Sequence, residues 1–256
     1  DKVEIGQDHI DKSKIIITSR PTYITTFNFD NNIELLPFSA KKIQRFYKKI
    51  TGIVLNTNEI DKSDLDVIGI PVILYMAIMS NIDITESSTK PELYNRIFAK
   101  RGGIFDRFSE YDSGSQLLRN ADNIEKYLEF LQKIAFKMFE KDNLLLSTNK
   151  CVIPKLKFEG KSVSILEFPI KHLFENIEAN IEFIHKSLYE YFVSEYIYSS
   201  IYDVLDEYNS KEKCAGILGR LLKDNVLTYE ILEFLRFRIV NSKLEKNFEI
   251  INESFQ

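Results

Sequence analysis

Residues 182–198 read EFIHKSLYEYFVSEYIY, and the interpretation of this stretch decides that of the rest. It opens a long helix, expected from about Lys186 to Glu207, with Tyr and Phe gathered on one side. Tyr189, Tyr191, Phe192, Tyr196 and Tyr198 fall at helical spacing, and a tyrosine-rich stripe of that kind is a packing surface rather than a platform for stacking bases. Glu190 reads as a group that orients or caps locally. His185 stands just before the helix, where an imidazole more often caps the helix or joins the core than binds a ligand.

Working outward, Cys151 to Phe168 holds two short runs, CVIPKLKF and SVSILEF, separated by Glu159-Gly160-Lys161, which resemble a hairpin. Before them, Asn123 to Lys141 places apolar residues at 124, 127, 128, 131, 134, 135 and 138, the three-four spacing of an amphipathic helix. Helix, small strands and helix in that order suggest a winged-helix module over 116–208. Two more helices, near Lys211–Lys223 and Thr228–Asn241, open a second helical domain over 209–256.

Toward the N-terminus, KIIITS at 14–19 is a β-branched run ended by Arg20-Pro21, the pattern of a strand buried on both faces. Asn32–Phe38 is a second candidate strand. Two parallel strands cannot bury their own faces, so partners are expected before Asp1, and residues 1–38 read as the end of an α/β domain. Ser39 is placed to cap a helix whose apolar side carries Ile43, Phe46, Tyr47 and Ile50. A helical domain over 39–115 follows: a short helix near Ser63–Ile68, the turn Gly69-Ile70-Pro71, a helix that Pro71 starts, and another over Pro91–Lys100 closed by Arg101-Gly102-Gly103. Residues 109–122 are polar and read as a linker. The fold class is therefore mainly α with a small α/β remnant.

Composition narrows the function. With 44% hydrophobic residues and only 9 Gly and 6 Pro in 256, the chain is globular and built of long helices. Net charge is -4 and the basic residues are scattered, so there is no electrostatic footprint for duplex nucleic acid or anionic lipid. Lys41, Lys42, Lys48 and Lys49 read as a solvated helix face. Cys151 and Cys214 fit neither a disulfide framework nor a metal site, and reduced thiols imply a cytoplasmic protein. No apolar run reaches about 18 residues, so no membrane is expected as a partner.

Three segments in order, KIIITSRPTYI at 14–24, GIPVILYMAIMS at 69–80 and EFIHKSLYEYFVSEYIY at 182–198, resemble the NACHT branch of the STAND signalling NTPases. The last is the most specific: Phe183, His185, Ser187, Glu190, Tyr191 and Phe192 fit the string F-x-H-x-[ST]-x-x-E-[FY]-[FL]. The resemblance implies that Arg20 ends a sensor strand near the nucleotide phosphates. It implies that Gly69 and Pro71 lie against the adenine side, and that His185 meets the β-phosphate of ADP from a winged-helix domain. A cation at a strand end and an imidazole donor are both suited to reporting the loss of an anion.

The cofactors so implied are ATP and ADP, with Mg in the complete parent protein. This chain alone is not expected to hold them tightly, because it has no P-loop: Gly160-Lys161-Ser162 has Lys155 where the first glycine belongs. No catalytic or metal-binding residue stands out. The implied function is regulatory, an ADP-closed and ATP-open switch in microbial defence or signalling. Its partners would be the upstream NTPase half of the same protein, further copies of itself on activation, and a trigger ligand of unknown kind. Alternatives are a winged-helix DNA-binding or interaction module with no nucleotide role, and a related AAA-like ATPase fragment. A DNA reader is disfavoured because the helix after His185 offers only Lys186 and carries Glu190 and Glu195.

Overall fold

In the computed structural model of the chain, the residues described are 36–85, 89–106, 118, 121–147, 157–158, 161–162, 169–175, 178–208, 211–223 and 225–242. The chain divides into two units, Asp1–Leu36 and Pro37–Gln256, and the elements described here belong to the second. The strand expected at 14–19 lies outside the described residues, as do Arg20, residues 109–117, Cys151 and most of the expected strand at 32–38. Of that last strand, Leu36–Phe38 is described and is not extended into a sheet. The Phe38 N–H is spent instead on the Gly69 carbonyl, 2.7 Å away.

In chain order the helices are α1, Ala40–Thr51; α2, Lys62–Ile68; α3, Pro71–Met79; α4, Lys90–Ile97; and α5, Ala121–Glu140. The strands β1, Leu146–Ser147; β2, Lys157–Phe158; β3, Lys161–Ser162; β4, Ile170–Glu175; and β5, Glu178–Phe183 come next. Helices α6, Lys186–Tyr208; α7, Lys211–Leu222; and α8, Tyr229–Val240 follow them. The fold is mainly α with a small β portion. Local chemistry accounts for several helix ends. Pro71 is the first residue of α3, where its missing N–H costs nothing. Thr89 and Thr228 cap α4 and α8 by accepting the Glu92 and Ile231 N–H groups.

Two expected ends are corrected. Ser39 takes the extended backbone of a cap at α1, but its side chain makes no capping bond. Helix α4 stops at Ile97 rather than Lys100, with Phe98 closing back onto the Tyr94 carbonyl. Gly102, at φ 71°, belongs to the turn beyond and donates to Asp106.

The hairpin centred on 159–161 appears as the antiparallel pair β2–β3. A larger hairpin, β4–β5, was not expected from the sequence; β1 adds to its far side, giving the order β1-β5-β4. Its sequence signal is the alternation of Ala179, Ile181 and Phe183 with Glu178, Asn180 and Glu182. Ile181 and Phe183 are buried. Glu and Asn are poor strand formers, which masks the pattern.

One hydrophobic core takes residues from segments 39–115, 116–208 and 209–256 alike. At its centre lies α6, packed by α5, α7, α8 and β5, while α8 also reaches α4. Every residue from Ser187 to Glu195 is buried, including two carboxylates. Arg238 of α8 lies over the Tyr198 ring and holds Glu195, with Nε 2.7 Å from Oε1, by charge rather than by an aligned hydrogen bond.

Burial pushes the Glu195 carboxyl up to about 7, and Arg238 only partly offsets this. Its ordinary value is 4.5, so between there and about 7 the folded chain holds a proton that the unfolded chain has released. The stability this carboxyl contributes is complete below the lower value and is lost as pH rises through the upper one. Glu195→Gln should flatten the fall in Tm between about pH 5 and pH 8 and raise Tm at the upper end by about 5 °C. Thermal unfolding of both proteins across that range checks this, and parallel curves would refute it.

Candidate functional site

Strand β5 runs into α6 through Ile184 and His185. The Ile184 N–H donates to the Pro169 carbonyl at 2.9 Å, and the His185 carbonyl accepts the Leu188 N–H at 3.1 Å, so His185 is the residue at which helical bonding begins. Its ring is half-buried and turns back over the first turn of α6. Nδ1 accepts the Ser187 N–H at 3.2 Å and stands 2.6 Å from the Ser187 hydroxyl. An amide can only donate, so Nδ1 presents a lone pair and the neutral ring carries its proton on Nε2. His185 therefore caps the helix, and the same bond selects its tautomer.

The Ser187 hydroxyl also meets Tyr94 of α4, Oη to Oγ 2.5 Å. Both residues are buried. Burial raises the Tyr94 phenol far above its usual range, so it remains a neutral donor. Around this contact, Tyr191 donates from Oη to Asn95 Oδ1 at 3.2 Å. The Tyr94 ring lies 5.4 Å from that of Tyr191 and 5.1 Å from that of Phe234, centroid to centroid. Glu190 is buried one turn into α6, 2.9 Å from Lys186. Its carboxyl is raised chiefly by burial, with Lys186 working against the shift.

Gly69 and Pro71 sit together at the junction of α2 and α3. Gly69 is buried with an ordinary helical backbone, so its need is for room. A Cβ there would stand 2.9 Å from the Leu65 carbonyl oxygen, 3.1 Å from that of Phe38 and 3.3 Å from Pro37 Cβ. The backbone it admits is the chain's own 37–38 segment. Pro71, by contrast, presents an exposed ring. The junction and His185 are tied through one helix: α3 packs on α4, and α4 carries Tyr94. Arg20 lies outside the described residues.

Tyr94, Asn95 and Phe234 were not singled out from sequence, and no local signal marks them: Tyr94 and Ser187 are 93 residues apart. Among the described residues, no group of three or more His, Cys, Asp or Glu is arranged to hold a metal ion. No described helix is long and apolar enough to cross a membrane. Compared with protein-family models, curated proteins and solved structures, the chain gives no match.

Gly69→Ala should lower unfolding stability by about 1–3 kcal/mol, since two of the three close atoms are backbone oxygens and cannot move aside alone. Denaturant unfolding measures it; a loss below about 0.5 kcal/mol, the level of an ordinary surface change, would mean that the 37–38 segment yields freely.

Proposed function

We propose that this chain is the nucleotide-sensing, regulatory part of a cytoplasmic signal-transduction ATPase of the NACHT type, acting in microbial defence or signalling. The observation that supports the reading is the placing of His185: its Nδ1 accepts the Ser187 N–H, which puts the proton of the ring on Nε2, at the positive end of a 23-residue helix. A neutral donor in that field suits a phosphate oxygen and needs no protonation of the ring to work.

The residues fit ADP or ATP unevenly. His185 would donate to a phosphate and the exposed Pro71 ring would lie against the base, while Gly69 acts indirectly by shaping the turn that sets Pro71. Arg20 would add a cation at the phosphates. The bound nucleotide supplies the charge that these groups read, and with Mg it supplies a hydrolysable phosphoanhydride in the complete parent protein. The chain contains no P-loop string, so hydrolysis is assigned to the upstream NTPase half, and this part reports which nucleotide is present. Loss of the third phosphate would favour the ADP-closed packing. Exchange together with a trigger ligand would favour an open form that assembles with further copies, a population shift between two packed states.

The DNA-reading alternative loses ground on packing. A recognition helix must offer a face to the groove, whereas Ser187–Glu195 of α6 are buried and Lys186 is engaged with Glu190.

Calorimetric titration of ADP into the full-length protein tests the reading. His185→Ala should cost about 1.5–3 kcal/mol of binding free energy, the range for a hydrogen bond to a charged group. Unchanged affinity would leave His185 as a helix cap alone and favour the interaction-scaffold alternative.

A further inference from the structure

Tyr94 Oη, Ser187 Oγ and His185 Nδ1 form one continuous line of contacts at the head of α6. We infer that Tyr94 is a positioning residue for His185: acting through Ser187, it holds the imidazole in the Nε2–H tautomer and couples the ring that meets an anion to helix α4. That the anion is a nucleotide phosphate rests on the function proposed above; the relay itself does not.

The direction of each bond follows from the donors. Nδ1 accepts the Ser187 N–H, so it has no hydrogen to give. Its 2.6 Å approach to Ser187 Oγ therefore requires the serine hydroxyl to donate. That uses the only hydrogen of the serine hydroxyl, so across the 2.5 Å contact with Tyr94 the phenol is the donor. Among the described residues, the Tyr94 hydroxyl has this one partner. A completely buried phenol that lost it would be left with an unsatisfied polar group, which is costly in the interior. The order Tyr94 to Ser187 to His185 thus has a single consistent polarity, and each bond fixes the next.

The consequence is mechanical as well as chemical. Tyr94 belongs to α4, on which α3 packs, and its ring touches Tyr191 of α6 and Phe234 of α8. A ligand that draws on the His185 ring strengthens or weakens a hydrogen bond whose far end lies among three helices. Release of α6 from α4 would break the relay and free the ring to change tautomer, so the state of the anion site and the packing of α4 on α6 are linked in both directions.

Long-range nitrogen–proton NMR of the imidazoles in the full-length chain near neutral pH tests this. The chain has 3 histidines, and His185→Gln assigns the signal. The wild-type ring should be the Nε2–H tautomer. Tyr94→Phe and Ser187→Ala should move it toward a mixture, Ser187→Thr should restore the wild-type spectrum, and circular dichroism confirms folding of each. A wild-type Nδ1–H ring, or a folded Tyr94→Phe protein with an unchanged spectrum, overturns the relay. If Tyr94→Phe fails to fold, the Ser187 pair decides.

ADP titration separates the two ideas. Tyr94→Phe should weaken ADP about three- to tenfold, the range of one net hydrogen bond. No ADP binding by the complete parent protein, which carries the upstream NTPase half, with the tautomer shift intact removes the nucleotide reading and leaves the relay standing. Binding that His185→Ala weakens and Tyr94→Phe does not overturns the coupling.

Discussion

A hydroxyl buried as completely as that of Tyr94 is costly to leave without a hydrogen-bond partner. Only a particular seating of α4 against the first turn of α6 brings Ser187 within reach. Around that polar point the packing is aromatic. Tyr94 of α4, Phe98 just past its end, Tyr191 and Phe192 of α6 and Phe234 of α8 lie with ring centroids between 5.0 and 6.2 Å apart, in tilted, stacked and edge arrangements. Rings supply area and the hydroxyl supplies register: apolar surfaces alone tolerate sliding, and a buried hydrogen bond does not.

The same division of labour runs along α6. Glu190 and Glu195 are buried on a helix that apolar residues would stabilise better, since moving a carboxylate out of water costs more than a partly exposed cation returns. Each is placed where a longer side chain reaches in from the surface, Lys186 from one turn back and Arg238 from α8. Arg238 also covers Tyr198, so one side chain ties α8 to two turns of α6. Such groups specify an arrangement more than they stabilise it. For a helix proposed to leave one packing for another, a raised carboxyl beside a removable cation lowers the cost of separation.

How much of this is legible in the sequence depends on the range of the interaction. Helices governed by neighbours three or four residues apart are readable: α5 and α6 lie close to where their apolar spacing puts them, and Pro71 marks the start of α3. The β4–β5 hairpin is harder, because its alternation is carried by Glu and Asn on one side and spans only six residues per strand. Gly69 is readable as a position needing room, yet nothing local tells whether a ligand or the chain itself fills that room. The Pro37–Phe38 segment does so. Tyr94 is not readable at all: one tyrosine among 13, it owes its role to a serine 93 residues on.

The string from Phe183 to Phe192 can now be understood residue by residue. Phe183 stacks on Phe192 at 5.7 Å and joins strand to helix. His185 caps, Ser187 bridges to α4, Glu190 engages Lys186, and Tyr191 bonds Asn95 while packing under α8. Each of these would be selected in a protein that never met a nucleotide, and the capping role of His185 is the plainer explanation of its presence. The two roles do not compete for the same atom, however. Capping consumes Nδ1, and a ring so fixed necessarily carries its proton on Nε2. A helix that needs only a cap would be served as well by Ser, Thr, Asp or Asn, which are preferred at that position. What imidazole adds is a second nitrogen whose protonation the cap itself determines, and that added property is the one the proposed nucleotide reading draws on.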